Sequence, residues 1–209
     1  MPTPRSAPPT SAERPELPPE LPALAQFAER LETEERRPSA GAAAALAVGL
    51  AADLIAQVAE RTPGWEARSG VLAQADVLRE RATSAAGSVA AIYHVLVKAL
   101  DAAVVAPPSS ATPSDLGEEL ARAADVLIQI AETACDCAAL AVIVAKSGDT
   151  VVRADATAAA ILAAAGAEMA AHLVEVNLLA GARQERTDRA RELASAAALS
   201  RAAALAVLP

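Results

Sequence analysis

Between residues 155 and 177 the chain holds Asp155, Glu168, His172, Glu175 and Asn177 in an otherwise apolar run. Glu168, His172 and Glu175 recur at spacings of four and three. On a helix that puts them on one face, where a His/Glu cluster can bind a metal or relay a proton. The spacing is not that of a known metal motif, so a surface strip of ion pairs is the simpler reading, and no metal site is expected. Asp155 stands where a helix N-cap is wanted, and Asn177 fits either a buried helix–helix hydrogen bond or the orientation of a ligand amide. His94, beside Tyr93, reads as a satisfied interfacial histidine. Cys135 and Cys137 are two residues apart, so on a helix they point roughly 200° apart. They suit neither a chelate nor a disulfide with each other. They read as buried free thiols in a reducing cytoplasm. There is no nucleophile triad, P-loop or dinucleotide fingerprint.

The stretch "RRPSAGAAAALAVGL", residues 36–50, poses a second chemical question. A proline, a glycine and a run of small residues lead into a helix. That is the composition of a worn ligand-cradling loop, and equally of the start of an alanine-rich packed helix.

The elements that carry these residues are all helical. No strand signal occurs. Residues 22–37 form one amphipathic segment, with Pro22 at its first turn and Pro38 after it. A helix over 41–61 stops at "TPG". A longer one over 67–104 places Val71, Ala75, Leu78, Ala82, Ala85, Val89, Ile92 and Leu96 at steps of three and four. After a proline-rich loop, Thr112 and Pro113 open a helix whose stripe is Leu116, Leu120, Ala123, Leu127, Ile130, Ala134, Cys137 and Ala141. Gly148 closes it as a C-cap. A helix from Asp155 to Gly181 and a last one from residue 183 complete the chain. The helices over 41–61 and from Asp155 are apolar almost all round and belong at the centre, with amphipathic ones around them. The expected fold is an all-α, mostly antiparallel bundle over residues 21–209. Seven of the 14 prolines fall in residues 1–20, which read as an extended, flexible arm.

The net charge is −8, and the arginines are interleaved with carboxylates at helical spacing. A phosphate backbone is bound by clustered Lys and Arg, so nucleic acid is not an expected partner. Residues 40–59 and 156–181 are apolar enough to resemble membrane spans. The first carries Asp53, the second Glu168, His172 and Glu175, and ionised groups at a bilayer centre cost at least ~2.5 kcal/mol each. No membrane partner is expected, and no leader segment is visible. The chain is 54% hydrophobic but only 1% aromatic, and its apolar residues are mostly Ala, Val and Leu. Such side chains bury little area each, and burial stabilises at about 25 cal/mol per Å². Close backbone approach or subunit contacts must make up the difference, so a homo-oligomer, dimer or larger, is expected.

The order of these landmarks resembles the cyclodeaminase domain of formiminotransferase-cyclodeaminase and the related methenyltetrahydrofolate cyclohydrolases. Phe27 leads an opening helix, and "PSAGA" (38–42) stands where that family has a P-G-G-G-S loop. "RTPG" ends the next helix as the family's T-x-G turn does. "ADATAAAILAAAGAEMAAHLVEVNL" is similar to its S-D-A…N-L helix. The resemblance spans residues 25–200. It implies the family's helical fold and a folate- or pterin-like ligand with no separate cofactor, Gly41, Asp155 and Asn177 being the ligand-binding candidates. Asp155, His172 and Glu175 are the candidate proton-transfer groups.

The departures from the family pattern are specific. The triple glycine is reduced to Gly41. Gly87 and Val89 stand where the family has acidic residues one turn before an aromatic, here Tyr93. Only Asn177 remains of two asparagines. Either family reaction, cyclisation of formimino-tetrahydrofolate with loss of ammonia or hydrolysis of a methenyl bridge, needs a group that moves a proton. Three readings stay open: altered chemistry on another pterin- or imine-like heterocycle, a non-catalytic binding or assembly module, and unchanged folate chemistry.

Overall fold

The computed structural model describes residues 39–105, 113–178 and 184–207. The expected arm (1–20), the amphipathic segment at 22–37 with Phe27, Thr112 and Gly181 all lie outside them. Among the described residues there are five α-helices, one 3-10 turn and no strand: α1 (Ala40–Glu60), α2 (Arg68–Val105), α3 (Pro113–Ser147), the turn Thr150–Val152, α4 (Arg153–Leu178) and α5 (Gln184–Leu205).

Ser39 starts α1. Its side chain accepts a hydrogen bond from the Ala42 N–H at 3.2 Å, satisfying one of the donors that a helix start leaves free. At the other end, Gly64 adopts φ +84° in the "TPGW" corner, a conformation open to glycine at little cost. The Arg68 Nε donates to the Ala59 carbonyl across that corner. The corner is also pinned to the rest of the bundle. The Thr62 hydroxyl donates to the Val58 carbonyl and accepts from the Asp149 N–H. The end of α1 is thereby tied to the segment between α3 and α4.

The core follows the apolar periodicity. Val71, Ala75, Leu78, Ala82, Ala85, Val89 and Leu96 of α2 are buried, and Ile92 is half-buried. Ala123, Leu127, Ile130, Ala134, Cys137 and Ala141 of α3 are buried as well. Gly148 ends α3, but not as a left-handed cap, since Gly64 alone among the described residues has positive φ. Its N–H donates to the Val144 carbonyl. A Cβ there would lie 2.7 Å from that oxygen and 2.9 Å from Val58 Cγ1, so close packing demands the glycine.

α4 packs against α1, α3 and α5. Its register on α1 is set at Gly166, where a Cβ would meet Val48 Cγ2 at 2.6 Å and the Ala44 carbonyl at 3.2 Å. Ala156, Ala159, Ala160, Ala163, Ala164, Ala167 and Ala170 are all fully buried. Yet α1 and α4 each keep one strip exposed, with Leu50 on α1 and Ile161, Met169 and Val176 on α4. Three segments, Ala40–Glu60, Gly117–Ser147 and Thr150–Leu178, are long and apolar enough to cross a membrane. Only 50%, 50% and 56% of their apolar windows are buried within the bundle. α5 is different. It buries only Ala190, Leu193, Ala197 and Ala204, and its arginines reach outward to neighbouring helices. Arg186 forks onto Asp125 of α3 at 2.6 and 2.9 Å, and Arg189 meets Glu132.

The glycines separate packing from propensity. Gly166→Ala should lower the unfolding free energy by about 1–3 kcal/mol, because the new methyl meets α1 backbone. Gly87→Ala, in open space on α2, should raise it by about 0.5–1 kcal/mol. Urea denaturation followed by circular dichroism measures both.

Candidate functional site

The start of α1 is closed. Gly41 is buried, and a Cβ on it would lie 2.5 Å from Val89 Cγ1 and 3.1 Å from Leu127 Cδ2. The glycine is there because α2 and α3 press on the first turn of α1. The face of Gly41 that a ligand would have to approach is filled by those two side chains. The Ala42 and Ala43 N–H groups are bonded to Ser39. Residues 39–42 therefore begin a packed helix, and on the side filled by Val89 and Leu127 they offer no open anion cradle.

Asp155 does not cap a helix. The segment "GDTVV" inserts a 3-10 turn before α4, and Asp149 caps it, accepting from the Val151 N–H at 2.9 Å. Asp155 lies in the first turn of α4, half-buried. Beside it, Arg153 has a buried Nε with no partner. Asn177 is half-buried near the other end of the same helix. At 1.5 Å rise per residue the two are about 33 Å apart within one chain. The contacts of Gly166 with Ala44 and Val48 and of Asp149 with Thr62 show that α1 and α4 run antiparallel. Gly41, His172, Glu175 and Asn177 thus occupy one end of the bundle and Asp155 the opposite end. One chain does not bring the five candidates together.

His172 is exposed. Its two acidic neighbours are drawn to α5. Glu175 pairs with Arg191 at 2.6 Å and Glu168 with Arg201 at 3.5 Å. Tyr93 and His94 are both exposed on α2. Among the described residues no group of three or more His, Cys, Asp or Glu side chains is placed to hold a metal ion.

A groove of about 540 Å³ lies elsewhere, between α2 and α3. Leu78 and Leu140 form its floor, Val77 and Ile143 its rims, and the Arg81–Asp136 ion pair, at 2.9 Å, one wall. None of the candidate residues touches it. The signal was present in the sequence, because Val77 and Ile143 are large apolar residues off the buried stripes of their helices.

Of the two thiols, Cys135 is half-buried and Cys137 is buried, its sulfur 3.9 Å from the Val48 carbonyl. Burial, helped by the nearby Asp136 carboxylate, pushes the Cys137 thiol up to about 12.

With this geometry in place, the fold class is that of an all-α bundle of the cyclodeaminase type. The solved structure of formiminotetrahydrofolate cyclodeaminase from Thermotoga maritima superposes with a TM-score of 0.78 at 18% identity, covering 90% of this chain and 96% of that one. The family model of formiminotransferase-cyclodeaminase matches residues 23–196. The chain belongs to that family. Among curated proteins none matches.

Two outcomes follow from these placements. Asp149→Ala should cost about 1 kcal/mol through loss of a cap, whereas Asp155→Asn should change stability by no more than about 0.3–1 kcal/mol, the value of a first-turn charge. Thermal denaturation compares them. For Cys137 the folded thiol ionises later than the unfolded one, which titrates near 9.0. Its contribution to stability is complete below that pH and is lost as pH rises towards 12. Wild-type protein should therefore lose stability over that window more steeply than Cys137→Ala, measured by denaturant midpoints.

Proposed function

We propose that this chain is a divergent cyclodeaminase-family protein that binds a small heterocyclic, pterin- or imine-like ligand and turns over formimino- or methenyl-tetrahydrofolate slowly or not at all. The observation that supports this is Val89 seated against Gly41. Two departures from the family pattern, the missing carboxylate and the reduced glycine loop, meet at one place in the fold. There, among the described residues, Gly41 meets the aliphatic side chains of Val89 and Leu127, which move no proton. General acid–base groups contribute typically 10²–10⁴-fold, so their loss weighs heavily against the ordinary reactions. The groups left for proton transfer are Asp155 and His172. Glu175 is held by Arg191 and serves less well.

On this reading the protein has no resident cofactor and works as a homo-oligomer in the cytoplasm, apart from nucleic acid and membranes. The excess of carboxylates supports the separation from nucleic acid. A second reading, a non-catalytic assembly module, is favoured by the exposed apolar side chains of Leu50 on α1 and of Ile161, Met169 and Val176 on α4, since exposed apolar surface often marks a contact with a partner.

An absorbance assay with 5,10-methenyltetrahydrofolate tests the proposal. Hydrolysis should proceed at no more than a hundredth of an ordinary enzymatic turnover of about 10 per second. Turnover at the ordinary rate overturns it. Absence of binding to the same compound by equilibrium dialysis leaves the assembly reading in its place.

A further inference from the structure

All four arginines of α5 cross to carboxylates of other helices. Arg186 forks onto Asp125 of α3 at 2.6 and 2.9 Å, and Arg189 meets Glu132 of α3 at 3.2 Å. Arg191 and Arg201 meet Glu175 and Glu168 of α4 at 2.6 and 3.5 Å. A narrow seam runs between these pairs. Arg186, Ala190, Leu193, Ala197 and Ala204 recur at steps of four, three, four and seven, which is one stripe of a helix. Of the buried residues on it, only Leu193 is larger than alanine. The helix is thus gripped by charge along both edges and only lightly seated between them.

The other helices are held differently. The close approaches at Gly41, Gly148 and Gly166 join α1 to α2, α3 and α4, and α5 has no glycine to make one. α1 also buries Val48, Ile55 and Val58 among its alanines. Close packing of uncharged groups does not respond to screening. The pairs of α5 do, because in each of them at least one partner is more than a third exposed and salt reaches it. Two kinds of cohesion therefore meet at one boundary, and a boundary of that sort is where part of a structure opens below global unfolding.

We propose that α5 is an ion-pair latch, a helix that leaves α3 and α4 as one unit while α1–α4 stay folded, and whose release frees the carboxylates of α4. Glu168, His172 and Glu175 share one face of α4 at spacings of four and three. With α5 in place, Arg201 and Arg191 hold the two carboxylates. With α5 released, the exposed imidazole of His172 stands between two carboxylates that no arginine answers. The position of α5 thereby sets which acidic groups His172 has beside it. The latch requires no ligand and stands apart from the ligand reading above.

Hydrogen exchange of the full-length protein, read by mass spectrometry, tests the latch. Raising NaCl from about 0.01 M to about 1 M shortens the Debye length from about 30 Å to about 3 Å. Peptides across Gln184–Leu205 should then exchange together and at least about tenfold faster, while peptides of α1 and α4 keep their rates. Arg186→Glu should bring on the fast exchange of α5 at low salt, and adding Asp125→Arg should restore slow exchange. Cys135 lies on α3 within reach of the Arg189 charge. Its alkylation by iodoacetamide should quicken in step with α5, while Cys137, buried against the Val48 carbonyl, stays unmodified. The proposal is overturned if α5 and α4 exchange at one common rate in both salts, or if α5 opens alone but at a rate that ignores salt. It is overturned equally if Asp125→Arg fails to rescue a folded Arg186→Glu protein, or if Cys137 is alkylated as fast as Cys135. Protection of α5 that grows with protein concentration also sinks it, since the latch lies within one chain. If Arg186→Glu does not fold, the salt series on wild-type protein decides.

Discussion

Everything in this bundle depends on how near the backbone of α4 comes to that of α1. At Gly166 there is no room for a single carbon, since it would lie 2.6 Å from Val48 and 3.2 Å from the Ala44 carbonyl. Seven fully buried alanines follow the same helix. Each removes little apolar area from water, but short side chains let whole helices approach, and many weak dispersion contacts then accumulate. The same economy explains Gly41 under Val89 and Gly148 against Val58. Three glycines, at three levels, are where α1 meets α4, α2 with α3, and the chain leaving α3. Larger aliphatic residues such as Ile55 and Ile130 fill what the alanines leave.

That packing rule also shapes the chemistry. A helix start that is packed on by Val89 and Leu127 has no free surface for a ligand on that side. Of the polar groups along α4, Glu168 and Glu175 answer arginines of α5, Asp155 and Asn177 are half-buried, and His172 is exposed. α5 itself contributes little apolar surface, and its alignment comes from pairs such as Arg186 with Asp125. Exposed pairs are worth at most about 1 kcal/mol each, so α5 is joined to the bundle by orientation more than by cohesion.

Much of the fold was legible in the sequence because helical periodicity is local. The steps from Val71 to Leu96, the stripe from Ala123 to Ala141 and the stop at "TPG" all reappear in the structure. What failed did so where a few residues or a third dimension decide. "GDTVV" reads as the run-up to a helix, and a 3-10 turn inside it moves the cap from Asp155 to Asp149. Gly148 looks like a left-handed cap, but its reason is Val58, a residue 90 positions earlier. Grouping Gly41, Asp155 and Asn177 overlooked the length of the helix that carries the last two. The exposed strips of α1 and α4 were hidden because an all-apolar helix has no period to show which side stays uncovered.

The chain has one tryptophan and one tyrosine, and their positions decide what light can report. Tyr93 is exposed on α2. Trp65 sits half-buried in the corner between α1 and α2, against the core, a few residues from the hydroxyl that ties this corner to the start of the α4 segment. Its emission therefore senses one pole of the bundle. Backbone dichroism, by contrast, averages over every helix. Two unfolding curves recorded by the two methods on one sample become a measure of whether this tightly knit alanine scaffold melts as a unit or lets its poles come apart in turn.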